Sequence, residues 1–550
     1  MTKIRFRVCV QISVTEYRLH GPPGTGKTRT LATRWVPKAV EKFGPNGVVI
    51  CSLTRTAAAE IATRDLPIPL QNVGTLHALA FRSLSRPKIA EGEIAAWNDM
   101  EPSFKLSGGK PSMDEPEVRS DKNNRGDELM GLAQVYRHNR IPREAWRQDV
   151  AIFQKRWEEW MDAEGYVDFT GLMETALEDV TYAPGNPDVF IVDEAQDCSV
   201  LELELVRKWN ARASYAVLAG DGDQAIYGWR GGSARAFLSP DIPEENNYHL
   251  TQSYRVPRAV HALASRWINK ASYRYAVEYL PREDPGAVDY SQGNGRHVAP
   301  LLAEAIADLE RGKSVMILAT CGFMLRPLIA ALRRSGVPFH NPHRSTNGAW
   351  NPLRGGAQRL LSYLRPDPHV HGDEAAMWTW ADAKAWTEVV RAKGVLTSGS
   401  KRWISDLGTD KERCFERIDT GDGRATFGDC WETLKEVFAL GKSLDWLEDN
   451  LLASRREFME YALTVARKRG AKTLREEPKL TVGSIHSVKG AQADTVILLP
   501  DISPSAMRLW SKPGDEKDGI IRTFYVGMTR ARERLVLGGR WSPYSVDWRS

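Results

Sequence analysis

The sequence predicts an α/β fold in which parallel sheets are flanked by helices, and three stretches carry that prediction. An apolar-alternating stretch, residues 14–20, runs into GPPGTGKT (residues 21–28) and then into a helix-like stretch, residues 28–40. Four apolar residues, 189–192, end at Asp193. A third strand-like run ends at AGDGDQAIYGWRGG, residues 219–232. Short apolar runs that open into loops at their C-terminal ends read as buried parallel strands. Their alternation with helical patterns implies parallel sheets with helices on the faces.

The first loop has a chemistry of its own. Gly21, Gly26, Lys27 and Thr28 meet the pattern G-x-x-x-x-G-K-[ST], with Pro22, Pro23, Gly24 and Thr25 between them. Glycines let a backbone curl so that its N–H groups face phosphate oxygens, and the following helix N-terminus adds a positive dipole. In that pattern Lys27 reaches the β- and γ-phosphates and Thr28 coordinates Mg²⁺. A Gly/Pro turn before a surface helix would match the loop alone; the carboxylate strand decides against it. A carboxylate at the end of a buried strand is costly unless it serves a cation, so Asp193 is expected to hold Mg²⁺. Glu194, the next residue, is the natural general base for an attacking water. Gln224 follows another strand end, and Tyr227, Trp229 and Arg230 lie just beyond it. A group able to sense a γ-phosphate is thus a few residues from groups able to stack on bases. Arg255, within LTQSYRVP (250–257), and Arg530, within FYVGMTRARERL (524–535), can supply positive charge around a γ-phosphate as planar, permanently charged forks. Taken singly, either would be an ordinary surface arginine.

With these residues in place, the chain resembles the UvrD/Rep-like family of superfamily 1A DNA helicases. The match is ordered. Residues 21–28 resemble motif I, 48–64 Ia, 73–82 Ib, 191–197 II, 220–232 III, 250–255 IV, 480–498 V and 524–537 VI. Residues 165–177 resemble the family's approach to motif II, and 313–339 a strand–helix segment of its second motor domain. The resemblance implies two RecA-like P-loop motor domains, each with a mainly helical insertion, that use ATP and Mg²⁺. It implies that Lys27, Asp193, Glu194, Gln224, Arg255 and Arg530 are catalytic, with Thr28 and Asp193 on the metal. Arg29 and Tyr254 match the pair that sandwiches adenine, and Gln492 stands where the family has a nucleotide-contacting glutamate. Thr54, His77, Tyr227, Trp229, Arg230 and His486 match positions that touch the nucleic acid strand or transmit its state. There are departures: no glutamine motif precedes the P-loop at the usual spacing, since Gln11 is too close, and Leu53 replaces a base-stacking aromatic.

Composition sets bounds. A net charge of +5 and a pI near 8.7 permit nucleic acid binding. The N-terminal stretch has scattered charges and no small-residue cleavage site, so no secretory signal is expected. No run approaches the ~20 apolar residues that span a bilayer, so no membrane partner is expected. The six cysteines are scattered without a C-x-x-C, which suits a reducing cytoplasm and argues against a cysteine-held metal. His369 and His371 form an H-x-H expected to lie in a solvated loop rather than on a metal.

The motifs divide the chain. Residues 1–85 and 169–257 are expected to form the first motor domain, with 86–168 inserted; 258–350 and 471–550 the second, with 351–470 inserted. A polar stretch, 107–128, is expected to be a disordered loop, followed by a helix over 141–165. Trp378, Trp380, Trp386, Trp403, Trp431 and Trp446 in the second insertion are expected to pack a compact helical core. Arg467, Lys468 and Arg469 suit a helix C-terminus before Gly470. The chain ends soon after motif VI, so no appended nuclease domain is expected. The predicted function is an ATP-dependent DNA helicase or translocase moving 3′ to 5′ on single-stranded DNA, with single-strand/duplex junctions as partners and a protein partner or self-association assisting unwinding. Two rivals are a translocase that strips proteins with little unwinding and an ATP-switched single-strand-binding module. Intact Glu194, Arg255 and Arg530 argue against the switch. A P-loop ATPase acting on proteins is disfavoured by Gln224 leading into Tyr227, Trp229 and Arg230.

Overall fold

The computed structural model describes residues 15–53, 55–107, 124–341, 353–407 and 413–548. Strand β1, Thr15–His20, precedes the glycine loop. The predicted helix after it is present but composite: Lys27–Thr30, a wide-turned π segment Leu31–Trp35, and Val36–Phe43. Pro37 has no N–H to offer the preceding turn, which accounts for the local widening. Strand β2, Val48–Ser52, is wholly buried, and β3, Val73–Thr75, leads into the helix Leu76–Ser83. The Thr75 hydroxyl caps that helix by accepting from the Ala78 N–H at 3.1 Å.

The first insertion opens with β4, Lys88–Ile89, and closes with β5, Tyr166–Val167, which pair in parallel. Between them the helices Arg125–His138 and Gln148–Glu164 pack around Trp97, Phe153, Trp157 and Trp160. Of the polar stretch expected to be a loop, residues 108–123 lie outside the described residues. Its end differs from expectation: Arg125 to Glu128 are helical, because Asn124 and Asp127 form a capping box.

Strands β6, Val189–Asp193, β7, Tyr215–Gly220, and β8, Asn247–His249, complete a six-stranded parallel sheet in the order β3-β2-β6-β7-β1-β8. The adjacency of β6, β7 and β1 brings the ends of three motif-bearing strands to one edge, where ligands of open α/β sheets bind. Strand β9, Gln252–Pro257, pairs with β10, Leu280–Arg282. A second parallel sheet follows: β11, Ala287–Tyr290; β12, Val315–Ala319; β13, Leu480–Ser484; β14, Ala493–Leu498; β15, Ala531–Leu537; in the order β11-β15-β14-β12-β13.

The second insertion is helical, and Trp378, Trp380, Trp386 and Trp431 are buried as expected. Trp403 differs: it is 41% exposed and meets Trp380 edge-on at 4.7 Å. The core of this insertion is not separate. It is continuous with the layer under β12 and β13, because the helix Arg456–Arg469 lies directly against the helix Arg326–Ser335 and its C-terminal turn. The Tyr461 hydroxyl donates to the Val337 carbonyl at 2.5 Å, and Arg469 donates to the Gly336 carbonyl at 2.8 Å. His369 and His371 sit in a helical turn, Pro368–His371, rather than a loop. His369 bonds the Ala439 carbonyl and His371 faces Arg475. Among the described residues no helix is long and apolar enough to cross a membrane.

Candidate nucleotide and strand site

The glycine loop curls back over the end of β1. Gly24 and Gly26 take φ of +78° and +83°, a left-handed backbone that side chains resist. A Cβ on Gly24 would also lie 2.5 Å from the Cβ of Arg255, so the loop packs tightly on β9. Lys27 is buried and donates to the Gly21 carbonyl at 2.7 Å, which keeps its ammonium inside the curl. Pro22, Pro23 and Thr25 are buried in the same turn, with the Thr25 hydroxyl donating to the Pro22 carbonyl at 2.8 Å.

Thr28 and the carboxylate strand meet across the edge. The Thr28 hydroxyl donates to Asp193 Oδ2 at 2.6 Å. Burial and the neighbouring Glu194 push the Asp193 carboxyl well above its usual range, against the pull of Thr28 and Lys27. A buried carboxylate with a part-buried one next to it, beside a hydroxyl, forms a donor set that a divalent cation would relieve, so these residues fit Mg²⁺. Glu194 is held the other way. Burial would raise it, but Lys27, Lys489, a hydrogen bond from Gln196 and Arg530 outweigh that and keep it ionised. Its backbone is left-handed, φ +56°, although it is not glycine. Such a conformation is a cost that the surrounding structure must hold in place. An ionised, fixed carboxylate is what a general base requires.

The second sheet closes the site. Arg530, at the turn into β15, is buried and donates to Gln224 Oε1 at 3.1 Å. Burial and the like charge of Arg255 lower its pKa, yet not into a range where it would be neutral at pH 7. Arg255, on β9, donates to Gln492 Oε1 at 2.7 Å. The amide of Gln224 donates to Asp221 Oδ2 at 2.6 Å, so its oxygen is presented to Arg530. Arg29 and Tyr254 are both exposed at the loop's rim, Tyr254 by 71%, and the Tyr254 N–H donates to the Gly24 carbonyl at 2.9 Å. They can flank a flat ring.

On the strand side, Trp229 is 39% exposed in a tight turn. Tyr227 is buried beneath it, 6.2 Å from the Trp229 ring and 6.1 Å from His486. Arg230 does not reach outward: it is buried and donates to Glu202 at 3.3 Å. His77 is buried 3.9 Å from the same carboxylate. His486 Nε2 meets the Ile226 carbonyl at 3.2 Å. Leu53 is buried, and Thr54 lies outside the described residues.

One residue that bears on all of this has no role in the motif reading. Lys489 pairs with Asp197, donates to the Gln224 carbonyl at 2.8 Å, stands 4.0 Å from Glu194 and lies 5.1 Å over the Tyr227 ring. The signal was available: it is the sole lysine or arginine in residues 480–498. Arg274 is a second such residue, ion-paired at 2.6 Å to Asp223 in the turn after β7. Nothing in its local sequence marks it.

Comparisons agree with this arrangement. The family model of the UvrD/REP helicase N-terminal domain matches residues 9–242, and that of the UvrD-like helicase C-terminal domain matches residues 398–539. The chain is similar to the ATP-dependent DNA helicase PcrA of Staphylococcus aureus (strain NCTC 8325 / PS 47), 25% identical over 273 residues, which are 46% of this chain and 37% of that protein. It is also similar to a probable DNA helicase of Mycoplasma pneumoniae, 25% identical over 287 residues, 44% of this chain and 51% of that protein. The chain therefore spans about half or less of the length of these curated relatives. With both domain models matched in order around a shared site, the chain belongs to the UvrD/Rep-like family of superfamily 1A helicases.

Proposed function

We propose that the chain is an ATP- and Mg²⁺-dependent motor that moves 3′ to 5′ on single-stranded DNA and separates strands at single-strand/duplex junctions. One observation carries the reading above the rest. Gln224 accepts from Arg530 at the nucleotide edge, and three residues later the chain reaches Tyr227, then Trp229 at the surface. Its backbone carbonyl is held by Lys489, which also lies over Tyr227. A change at the γ-phosphate position thus has a short rigid path to a base-stacking side chain. The relatives named as DNA helicases support the same reading.

In this reading Lys27 and the backbone of residues 21–28 bind the phosphates, while Arg29 and Tyr254 hold the base and Gln492 lies at the nucleotide. Thr28 and Asp193 would hold Mg²⁺, which would supply positive charge to offset that of the phosphates. Glu194 orients a water and takes its proton. Arg255 and Arg530 neutralise charge that develops on the transferred group. Trp229 stacks on a base, with Tyr227 and His486 packed behind it. Arg230 and His77 act from beneath the surface, and Thr54 is read as a strand contact from its motif alone.

Two measurements test the proposal. ATP turnover is expected to be low alone and to rise with single-stranded DNA. Streptavidin should be released faster from the 5′ end than from the 3′ end of a labelled oligonucleotide. Turnover indifferent to nucleic acid would refute the motor, and preferential release at the 3′ end would reverse the direction.

A further inference from the structure

The end of the insertion helix Arg125–His138 lies directly behind the turn that carries Trp229. Gly231, in that turn, has φ +95°, and a Cβ there would come within 2.6 Å of the Cβ of His138. His138 is fully buried and bonded at both ring nitrogens: Nδ1 meets Ser199 Oγ at 2.9 Å and Nε2 meets Thr170 Oγ1 at 3.4 Å. Ser199 is the cap of the helix Val200–Asn210, and its backbone pairs with Gly232 of the same turn. Glu202, in the first turn of that helix, accepts from the Ser199 N–H at 2.7 Å and from Arg230 at 3.3 Å. The preceding residue, Arg137, is clamped to Asp168, the last residue of the insertion, at 2.6 Å and to Glu174 at 2.6 Å, and the second of these bonds ties the helix end to the first motor domain. His138, Ser199, Glu202 and Arg230 are all buried, away from the open surface.

We infer that His138 is a positioning residue: through Ser199 and its contact with Gly231 it sets the turn that presents Trp229 to the strand, so that the first insertion helps determine strand affinity. A turn with glycines at 228, 231 and 232 has little intrinsic rigidity. Its shape must come from what it leans on, and His138, Ser199 and Glu202 are those supports. The inference rests on the proposed role of Trp229 as a strand contact.

The test uses the full chain and an oligothymidylate probe. His138→Ala and the space-filling His138→Leu remove the Ser199 bond, and both are expected to weaken oligothymidylate binding about tenfold, the order of one stacking contact. ATP turnover without DNA should stay within about twofold. His138→Asn can keep a bond to Ser199 and should restore most of the affinity. In a Trp229→Ala background, His138→Leu should add no further loss, because its effect runs through Trp229. Unchanged affinity in the Leu variant, or losses that add to that of Trp229→Ala, would overturn the assignment of His138. An unmodified protein that fails to bind the oligonucleotide would instead overturn the motor reading itself.

Discussion

At the residue scale, the proposed function assigns nucleotide binding and chemistry to different side chains of one edge. Lys27 sits inside the loop curl and Glu194 stands ionised beside it, so their losses should differ in kind. Lys27→Ala is expected to weaken ATP binding and with it turnover. Glu194→Gln keeps the shape and should leave binding near normal while turnover falls by ~10²–10⁴. Nucleotide affinity by calorimetry and single-turnover hydrolysis check both; near-normal hydrolysis in Glu194→Gln would remove Glu194 as the base. The two neighbours in the strand turn should also part company. Trp229 is half-open to solvent, so Trp229→Ala should cost ~1–3 kcal/mol of strand affinity and little stability. Arg230 is buried against Glu202 and stands near His77 and His138. Arg230→Ala would strand a buried carboxylate, so a loss of ~3–5 kcal/mol of stability is expected. Denaturant melts of the pair decide this, and an Arg230→Ala protein as stable as the parent would return Arg230 to the surface reading.

At the element scale, the strand ends and the end of the helix Arg125–His138 gather histidines that burial keeps neutral. Burial lowers the pKa of His20 to about 4, of His77 to about 3, of His138 to about 4 and of His486 to about 4, each from an ordinary 6.5. In the unfolded chain these rings take up protons as pH falls through 6.5, while the folded ones do not. At these rings the unfolded state then binds more protons, so their share of the stability should shrink below pH 6.5 and go on shrinking toward pH 4, by up to ~1.4 kcal/mol per pH unit for each histidine, while the buried carboxyls of Asp193, Asp197 and Asp221, raised by burial, act in the opposite sense. The difference in urea midpoint between the parent and His138→Asn at pH 7.5, 6.0 and 5.0 isolates one ring from those carboxyls; it should shift against the parent as pH falls, and a pH-independent difference would mean that the ring opens to water. The same elements show what sequence could tell. Strand-then-loop patterns located β1, β6 and β7, because short apolar runs that open into loops leave few physical alternatives. The helix over 28–40 was legible, but its π segment was not, since the cost of Pro37 could have been met by a kink. The start of the helix at Arg125 was hidden because Asn124 and Asp127 read as loop polarity until they are seen as a cap. Arg230 looked like a surface cation because its partner, Glu202, is 28 residues away; pairing at such range leaves no local mark.

At the scale of the whole molecule, one edge of the first sheet is completed by the second. Arg255 and Arg530 reach the nucleotide edge from beyond β8, Arg274 pairs with Asp223, and Arg235 pairs with Asp515 at 2.9 Å. The second insertion shares its core with the second sheet, so it should move with that sheet rather than swing as a free body. What it shows to solvent bears on unwinding. Its outer ion pairs interleave both signs: Arg424 with Glu432, Arg467 with Asp445 and Glu448, and Arg402 near Asp406. Mixed charge of this kind gives a duplex no one-signed field to follow. A single copy is therefore expected to translocate well but to open duplex weakly, and a second copy or a protein partner should assist. The measurement compares DNA-stimulated turnover with single-turnover unwinding of a 3′-tailed duplex, first with protein in excess and then limiting. Unwinding should be strong in excess and collapse when protein is limiting, while turnover per bound strand stays the same. Equal unwinding in both conditions would show that one copy suffices and that the insertion grips duplex in spite of its mixed surface.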